Sequence, residues 1–473
     1  MITAIYLAAV VCIVSGLAFS RSRAFSTILG VLFLGVQTML TVHGLMHQGT
    51  TELSYFTYDA MGLILLLTLS IISFPALLHS RIYLTRPEAP ASSAAAYWAS
   101  CVLLIAAMTM GYLANHAAVT WIFTEITTLS AGVLIYHHRS KLALEATWKY
   151  VFVCAISICF VFVGILFISL ALLHDGCSEL FYSDLMAHKA TLDSFWMKLG
   201  FLFIFAGYTA KLGLFPMFTA GVDAKDKAPA PAGALLASVL MNLGFCGIFR
   251  VYAAISGTPV GEWARMVMLV SALITLFIAT IYMARISNVK RMLAYSGIEH
   301  MSVVTLGLCF GKAGFMAAML HMVMHTFVKS GLFFHFTQLW RTYSSKMLDD
   351  MGDYLKLNPF GALVLLFGFV SIAAVPPSGL FFSELLVFKA MIADGSWVVF
   401  ALTAFLLTVL LWAFARSIFR IIFLPAAKPV EKIGISAWES ATQLILFALA
   451  AYIGFNPPAF LLDLIGQAAA MIS

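Results

Sequence analysis

The sequence predicts an all-α polytopic membrane protein with about 14 transmembrane helices. We expect two inverted repeats of five helices, each containing one broken helix, near Pro216 and near Pro376-Pro377. Three observations support this fold class. The chain is 62% apolar and only 10% charged, its apolar runs are long enough to cross about 30 Å of hydrocarbon, and its basic residues fall mainly on one side of those runs. This composition excludes a soluble globular protein.

The apolar runs are about 20 residues long and follow one another with short connections. They place helices near 2–19, 26–45, 60–79, 95–115, 116–136, 149–173, 197–217, 230–253, 263–284, 292–311, 313–340, 359–391, 396–423 and 436–460. The first run has no basic residue ahead of it and no small-residue cleavage site, so we expect it to stay as a span rather than act as a signal peptide.

The 27 basic residues test this helix count when they are assigned to alternate sides of the membrane. Five fall on one side, namely Lys189, Lys198, Arg250, Arg265 and Lys312, and three lie within spans, namely Lys211, Lys329 and Lys389. The other 19 are Arg21, Arg23, Arg81, Arg86, Arg139, Lys141, Lys149, Lys225, Lys227, Arg285, Lys290, Arg291, Arg341, Lys346, Lys356, Arg416, Arg420, Lys428 and Lys432. Cytoplasmic loops are enriched in Lys and Arg, so the larger set predicts the cytoplasmic side and puts both termini outside.

We predict one membrane domain over residues 1–473, because no loop is long enough for a soluble domain. Its predicted parts are N-terminal helices in 1–94, a first repeat in 95–253, a second repeat in 263–423 and a last helix in 436–460. Proline interrupts the helical hydrogen bonds near Pro216 and near Pro376-Pro377. In a membrane such a break is tolerated where the freed groups are buried in protein or line a wet cavity. Paired broken helices are typical of inverted-repeat transporters.

Several kinds of site are not indicated by the sequence. The seven cysteines form no CxxC pattern, so we expect free thiols and no bound metal. They are Cys12, Cys101, Cys154, Cys159, Cys177, Cys246 and Cys309. No phosphate-binding glycine motif occurs in a suitable context, so no cofactor is predicted. The net charge of +6 reflects membrane topology, and no basic aromatic patch indicates nucleic-acid binding.

Eight ionisable side chains lie inside or at the mouth of apolar runs. An intramembrane charge costs at least roughly 2.5 kcal/mol, so such groups usually mark an ion or proton pathway. The sequence therefore predicts a proton path. Its candidates are Glu125, Lys211, Glu299, His321, His325, Lys329, Glu384 and Lys389.

Four separated segments resemble the antiporter-type subunits of respiratory complex I, the large Mrp antiporter subunits and the membrane arms of group 4 hydrogenases. They read KLGLFP at 211–216 with APAPAGALL at 228–236, KRMLAYSGIEHM at 290–301, LHMVMHTFVKSGLF at 320–333 and VPPSGLFFSEL at 375–385. Glu384, the run at 299–301 and Asn242 most resemble the F-type component of hydrogenase-4. The resemblance covers roughly residues 59 to 390.

The resemblance implies that Glu125 and Lys211 work as a pair. Poor hydration favours the neutral lysine, and a nearby carboxylate favours the protonated one. Moving or protonating that carboxylate would then release the proton of the lysine. The alternative is an ion pair that only fixes packing, although replacing such pairs by apolar groups is often neutral or stabilising.

His321, His325 and Lys329 recur at every fourth position, so they share one helix face over about 12 Å. Imidazole suits proton relay because its unperturbed pKa is about 6.5. That length exceeds one proton hop, so intervening waters are expected. Glu384 resembles the family position connected to the outside. Its alternative role is a partner for Lys389, five residues further along the helix.

Other residues carry weaker predictions. Glu299 and His300 are expected near the start of the tenth helix, where they are either relay members or solvated capping or interface groups. Glu145 and Lys149 are predicted to form an ion pair at the cytoplasmic end, and Asp59 a structural group before the third helix.

Two departures from the family pattern stand out. Asn242 occupies the place where most relatives have a lysine or histidine on the eighth helix. Because asparagine carries no charge, a hydrated bridge is needed there. The loop at 218–225 also lacks the histidines, tryptophan and proline of its relatives, so the cytoplasmic access and the partner surface are expected to differ from theirs.

The resemblance implies a proton-translocating subunit of a redox-driven complex of the group 4 hydrogenase or complex I kind. It would be a non-catalytic subunit in the inner (cytoplasmic) membrane, with other membrane and peripheral subunits as partners. The alternatives are an Mrp-type Na⁺/H⁺ antiporter subunit, a subunit driving inorganic-carbon uptake, and a membrane scaffold. The sequence does not choose between H⁺ and Na⁺.

Overall fold

The structure is a computed structural model that describes residues 1–20, 22–85, 94–174, 176 and 179–472. Among the residues assigned above, Arg21, Arg86 and Cys177 lie outside this set. Most of the described chain is helical. The only sheet in the described part is a two-stranded antiparallel hairpin of β1 (Thr51–Glu52) and β2 (Phe56–Thr57), with Thr51 opposite Thr57.

The helices have the following bounds: α1 Ile2–Ala18, α2 Arg23–Met46, α3 Ala60–Leu84, α4 Ala94–Leu113, α5 Ala117–Ile135, α6 Lys141–His174, α7 Tyr182–Ala187, α8 Ser194–Leu212, α9 Ala220–Lys227, α10 Ala230–Ala237, α11 Val239–Ile255, α12 Pro259–Arg285, α13 Val289–Cys309, α14 Gly311–Tyr343, α15 Tyr354–Leu357, α16 Pro359–Ile372, α17 Gly379–Ala393, α18 Trp397–Phe423, α19 Ala437–Phe455 and α20 Ala459–Ala469. Two 3₁₀ turns lie at Tyr136–His138 and Leu348–Asp350.

The chain divides into two compact units. The first unit contains Met1–Ala232, Val239–Val267 and Phe460–Ser473, and so includes α1 to α9 and α11. The second unit contains Gly233–Ser238 and Met268–Ala459, and so includes α13 to α19. This division differs from the predicted parts in detail, and the repeat boundaries remain predictions.

Nine helices in the described part are long and apolar enough to cross a membrane. Outside that set lie α8, α13, α14 and α17, and these four helices carry most of the titratable candidates. Charged and imidazole side chains lower the mean hydropathy of a helix, so the least apolar helices are where functional groups are expected.

Both predicted breaks are present. In the first unit α8 ends at Leu212, and Gly213 follows with φ +90°, a left-handed conformation that glycine adopts without steric cost. Pro216 lies between α8 and α9. In the second unit α16 ends at Ile372, and α17 begins after Pro376-Pro377, where Ser378 caps it by accepting a hydrogen bond from Phe381 N–H.

The predicted helix near 230–253 is two helices, because the chain breaks at Ser238 between α10 and α11. The predicted helix near 292–311 begins earlier, at Val289. Asn288 fixes that start by accepting hydrogen bonds from the backbone N–H groups of Lys290 and Arg291. Four short helices, α7, α9, α15 and α20, were not predicted.

Small residues bring α6 and α8 together inside the first unit. A Cβ added to Gly164 would lie 2.6 Å from Ile204, and one added to Gly200 would lie 2.8 Å from Ile168. Glycines at such positions let two membrane helices approach closely. This contact aligns the C-terminal half of α8, which carries Lys211, with the face of α6 that carries Tyr150.

Candidate functional site

Lys211 lies in the last turn of α8 and is buried. Its Nζ donates hydrogen bonds to Thr128 Oγ1 of α5 at 2.9 Å and to Tyr150 OH of α6 at 3.1 Å. The ammonium also lies 5.2 Å from the centre of the Tyr150 ring. Two neutral hydroxyls and an aromatic face therefore hold this lysine.

Glu125 lies on α5, one turn before Thr128. Its Oε2 is buried and has no hydrogen-bond partner among the described residues. No carboxylate oxygen of the described chain lies within 4 Å of Lys211 Nζ, so the two residues form no direct ion pair. Glu125 still lies close enough to act electrostatically on Lys211, Tyr150 and Cys154. The two predicted residues are therefore neighbours without a direct contact, and the hydroxyls of Thr128 and Tyr150 hold the ammonium of Lys211.

Asn242 is fully buried in α11. Further along that helix Arg250 is 1% exposed, and its Nη1 lies 2.7 Å from Oδ2 of Asp59. Its Nη2 donates to the carbonyl oxygen of Tyr112 at 2.7 Å. Asp59 also caps α3, since it accepts a hydrogen bond from Gly62 N–H at 2.7 Å. The prediction that Asp59 is structural agrees with this geometry.

In the second unit His321, His325 and Lys329 are all fully buried on α14. His321 Nδ1 lies 3.0 Å from Ser383 Oγ of α17. Lys329 Nζ makes a short hydrogen bond to Ser296 Oγ of α13. The predicted stripe therefore faces protein, and its two ends touch two different helices.

His300 of α13 lies beside this stripe. Its Nδ1 is 3.0 Å from His321 Nε2, and its ring centre is 4.8 Å from that of His325. One imidazole is thus in contact with both histidines of α14. The sequence left open that His300 was a solvated capping group. That alternative is wrong, because α13 already begins at Val289 and His300 is only 1% exposed.

Glu299 is also buried, so the capping alternative is wrong for it as well. Together with Glu384 and Ser296 it lines a small cavity. The remaining lining is apolar and comes from α12, α16 and α18, with Leu410 and Phe414 among it. The space open to water-sized molecules is about 30 Å³, whereas one water needs roughly 10 to 15 Å³ by that measure. The cavity therefore has room for about two waters beside the two carboxylates that line it.

The helix α17 carries both Glu384 and Lys389, which differ in their exposure to solvent. Glu384 is half-buried and lines the cavity, whereas Lys389 is exposed. No ion pair joins them, since none of the carboxylate oxygens described lies within 4 Å of Lys389 Nζ. The alternative in which Glu384 serves as the partner of Lys389 is therefore not realised. Within the described part of the chain, Lys389 makes no hydrogen bond or ion pair with another site candidate.

Glu145 and Lys149 form the predicted ion pair on α6, with 2.5 Å between Oε1 and Nζ and both side chains 56% exposed. An exposed pair of this kind contributes little to stability. It lies outside the buried clusters.

His300, His321 and Glu384 offer donor atoms that all lie within 4.8 Å of one another, a set that fits a metal ion by residue type. The nitrogens of His321 already have partners in His300 and Ser383. The prediction that the chain holds no metal remains a prediction.

Sequence reasoning missed the neutral partners of these groups. Thr128, Tyr150, Ser296 and Ser383 each touch a titratable candidate, and none was singled out. The signal was nevertheless present, because Thr128 is three residues after Glu125 and Ser296 three before Glu299, so each pair shares a helix face.

The fold and these clusters define the class of protein: a polytopic helical membrane protein with buried titratable side chains on and beside broken helices. Residues 114–411 match the family NADH:quinone oxidoreductase/Mrp antiporter, transmembrane region. The chain belongs to this family, and it is an antiporter-like membrane subunit. The resemblance stated from the sequence is confirmed.

Two similar curated proteins are informative. The hydrogenase-4 component F homolog of Methylacidiphilum infernorum is 28% identical over 76% of this chain and 77% of its own length. The NADH-quinone oxidoreductase subunit N of Nitrosomonas europaea is 25% identical over 83% and 81%.

Three solved structures share the fold. A chain of the archaeal membrane-bound sulfane sulfur reductase superposes with a TM-score of 0.86 at 22% identity, covering 100% of this chain and 96% of that one. A chain of the Mrp complex from Dietzia gives 0.85 at 17% identity, covering 99% and 96%. A chain of Thermus thermophilus complex I gives 0.83 at 18% identity, covering all of both.

Proposed function

We propose that this subunit moves protons through its two buried clusters as part of a membrane-bound redox complex. The observation that carries the proposal is the contact of His300 with both His321 and His325, which joins buried titratable side chains of α13 and α14. Buried titratable groups in a membrane are costly unless they serve ion or proton transfer.

In the first unit, Lys211 is the proton carrier and Glu125 is its control group. Thr128 and Tyr150 accept hydrogen bonds from the ammonium, so the lysine keeps its contacts while the charge on Glu125 changes. A charged Glu125 favours the protonated lysine, and a protonated Glu125 favours release. Asn242 takes no charge, and we assign it a hydrogen-bonding role in a hydrated bridge.

In the second unit, His321, His300 and His325 form the relay. Imidazole accepts a proton on one nitrogen and releases one from the other, so a contact of 3.0 Å between ring nitrogens suits such transfer. Lys329 connects through Ser296 to the cavity shared by Glu299 and Glu384. Glu384 is the exchange point toward the outside. Lys389 is exposed, so in this proposal it exchanges protons only with solvent or with a partner subunit.

We further propose fourteen spans with both termini on the outer side of the inner membrane. Each predicted span is occupied by one long helix or by the two halves of a broken one, such as α10 with α11 and α16 with α17. The excess of basic residues on one side supports this orientation. The two broken helices support two inverted repeats.

A redox complex of the group 4 hydrogenase or complex I kind is the proposed setting, because the hydrogenase-4 component F homolog is similar over three quarters of the chain. The alternatives are an Mrp-type Na⁺/H⁺ antiporter and a proton-driven inorganic-carbon uptake system. All three use the same buried groups and differ in the partner that supplies energy.

Purification of the tagged chain from native membranes in a gentle detergent, followed by mass spectrometry, tests the setting. Recovery of hydrogenase-like or complex I-like redox subunits supports the proposal. Recovery of Mrp-type or carbon-uptake partners alone would indicate that an ion gradient, and not a redox reaction, supplies the energy.

Proton transport by the purified complex in liposomes tests the pathway. Lys211→Met and Lys329→Met should each abolish transport while the complex still assembles. Lys312→Met is the matched control, because Lys312 lies on the same helix as Lys329 and is exposed. Full transport in both Lys211→Met and Lys329→Met would refute the pathway.

A further inference from the structure

Lys225 is a buried lysine in α9 of the first unit. The count of basic residues had assigned it to a cytoplasmic loop, yet its side chain is only 4% exposed. Within the described part of the chain its Nζ makes one hydrogen bond, to the Sδ of Met241 at 3.2 Å. A thioether sulfur is a weak acceptor, so a charged ammonium is poorly satisfied at this place.

The other charged residues of α9 are already engaged elsewhere. Oδ2 of Asp226 lies 2.9 Å from the Nζ of Lys227, and Oδ2 of Asp223 lies 3.8 Å from the Nζ of Lys149. Lys225 has no carboxylate oxygen within 4 Å among the described residues. A buried charge without a partner is costly, and lysine is the basic side chain that readily loses its proton under such conditions.

The contact with Met241 places the ammonium of Lys225 one residue along α11 from a position that carries no titratable group. Met241 immediately precedes Asn242, the buried amide that cannot carry a proton. A Cβ added to Gly221 would lie 3.5 Å from Nζ of Lys225. The side chain of Lys225 therefore runs back along its own helix toward Gly221.

We propose that Lys225 is a further proton-carrying side chain, which exchanges a proton beside Asn242 of α11. In release an N–H bond of Nζ breaks and the proton passes to a water, and the lone pair left on Nζ later accepts another proton. No electrons are transferred. This inference rests on the proposed function and adds a third titratable side chain to Lys211 and Glu125 in the first unit.

The test compares three substitutions of Lys225 in the full complex, purified through the tagged chain and assayed for proton transport in liposomes. Lys225→Met removes titration, Lys225→Arg keeps a permanent charge, and Lys225→His keeps a titratable group. We expect transport to fall at least tenfold in the Met and Arg variants. The His variant should retain a measurable rate with a pH profile shifted toward lower pH.

A rescue variant keeps the test informative if Lys225→Met assembles poorly. The double variant Lys225→Met with Asn242→Lys places a titratable amine at the residue that follows Met241, the contact of Lys225. This variant should recover transport. Lys141→Met is the control, because Lys141 is an exposed lysine at the start of α6. Wild-type rates in Lys225→Met, or in Lys225→Arg, would overturn the proposal. If Lys211→Met abolishes transport while Lys225→Met does not, this inference fails and the proposed function stands.

Discussion

Nδ1 of His300 and Nε2 of His321 lie 3.0 Å apart, although the two residues belong to different helices, α13 and α14. The same His300 ring lies 4.8 Å, centre to centre, from His325. His321 and His325 are four residues apart on α14, which separates them by about 6 Å along the helix axis. His300 therefore places a third imidazole next to two that are spaced too far apart for a direct hop.

His300→Phe tests this role. Phenylalanine keeps a ring in the buried site and removes both nitrogens, so assembly should persist. We expect proton transport to fall about a hundredfold, the lower end of what a lost proton-transfer group costs. The measurement is the initial rate of proton uptake by liposomes containing the complex. His47→Phe, at an exposed position after α2, should transport normally. A normal rate in His300→Phe would show that His321 and His325 work without it.

Thr128→Val and Tyr150→Phe test the hydroxyl bridge to Lys211. Each removes one acceptor from a buried ammonium, which costs on the order of 1 to 3 kcal/mol when the group stays unsatisfied. Each change should lower transport about tenfold. In the double variant the transport rate should fall by less than the product of the two single effects. Both hydroxyls accept hydrogen bonds from the same ammonium, so their effects are not independent.

Thr147→Val is the matched control for Thr128→Val. The Thr147 hydroxyl donates to the carbonyl of Ala143 on its own helix, and it makes no contact with Lys211. Its removal should leave the rate of proton uptake unchanged. Equal losses in Thr128→Val and Thr147→Val would mean that the effect comes from helix packing.

The sequence predicted the breaks near Pro216 and Pro376-Pro377 because proline lacks a backbone N–H, which is a local property. It also predicted the His321 stripe, which follows from helical periodicity. It did not predict that Lys225 is buried, since a lysine in a short polar segment is normally solvated and its burial depends on packing against α11. The sequence left the role of His300 open, because its contact with His321 depends on how α13 packs against α14.

Arg250→Met should destabilise the protein, because it leaves Asp59 without its guanidinium partner. Losing one member of a buried ion pair costs roughly 3 to 5 kcal/mol. The unfolding midpoint of the detergent-purified chain should fall clearly. The double variant Arg250→Met with Asp59→Asn should lose less stability than the two single variants lose in sum.

Arg265→Met is the control for charge removal. Arg265 pairs with Glu262 at 3.1 Å on α12, and their side chains are 29% and 68% exposed. A surface pair contributes about 0 to 1 kcal/mol, so its unfolding midpoint should barely move. If Arg250→Met is as stable as Arg265→Met, the buried pair contributes no more than a surface one.

Glu384→Gln and Lys389→Gln separate two residues of α17 that the sequence placed in one pathway. Glu384 lines the cavity with Glu299, where it exchanges protons with water in the proposed mechanism. Glutamine keeps its shape and hydrogen bonding and removes titration. Proton uptake should fall about a hundredfold in Glu384→Gln, as expected for a lost proton-transfer group.

Lys389→Gln should keep transport within about twofold, because substitutions at exposed positions usually change little. The two variants differ by five positions on the same helix, so a general disturbance of α17 would lower both rates. Loss in Lys389→Gln alone would instead place the outward exchange on the exposed face of α17. In that case the cavity lined by Glu299 and Glu384 would have no role in proton exchange. The burial of its two carboxylates would then need an explanation other than proton transport.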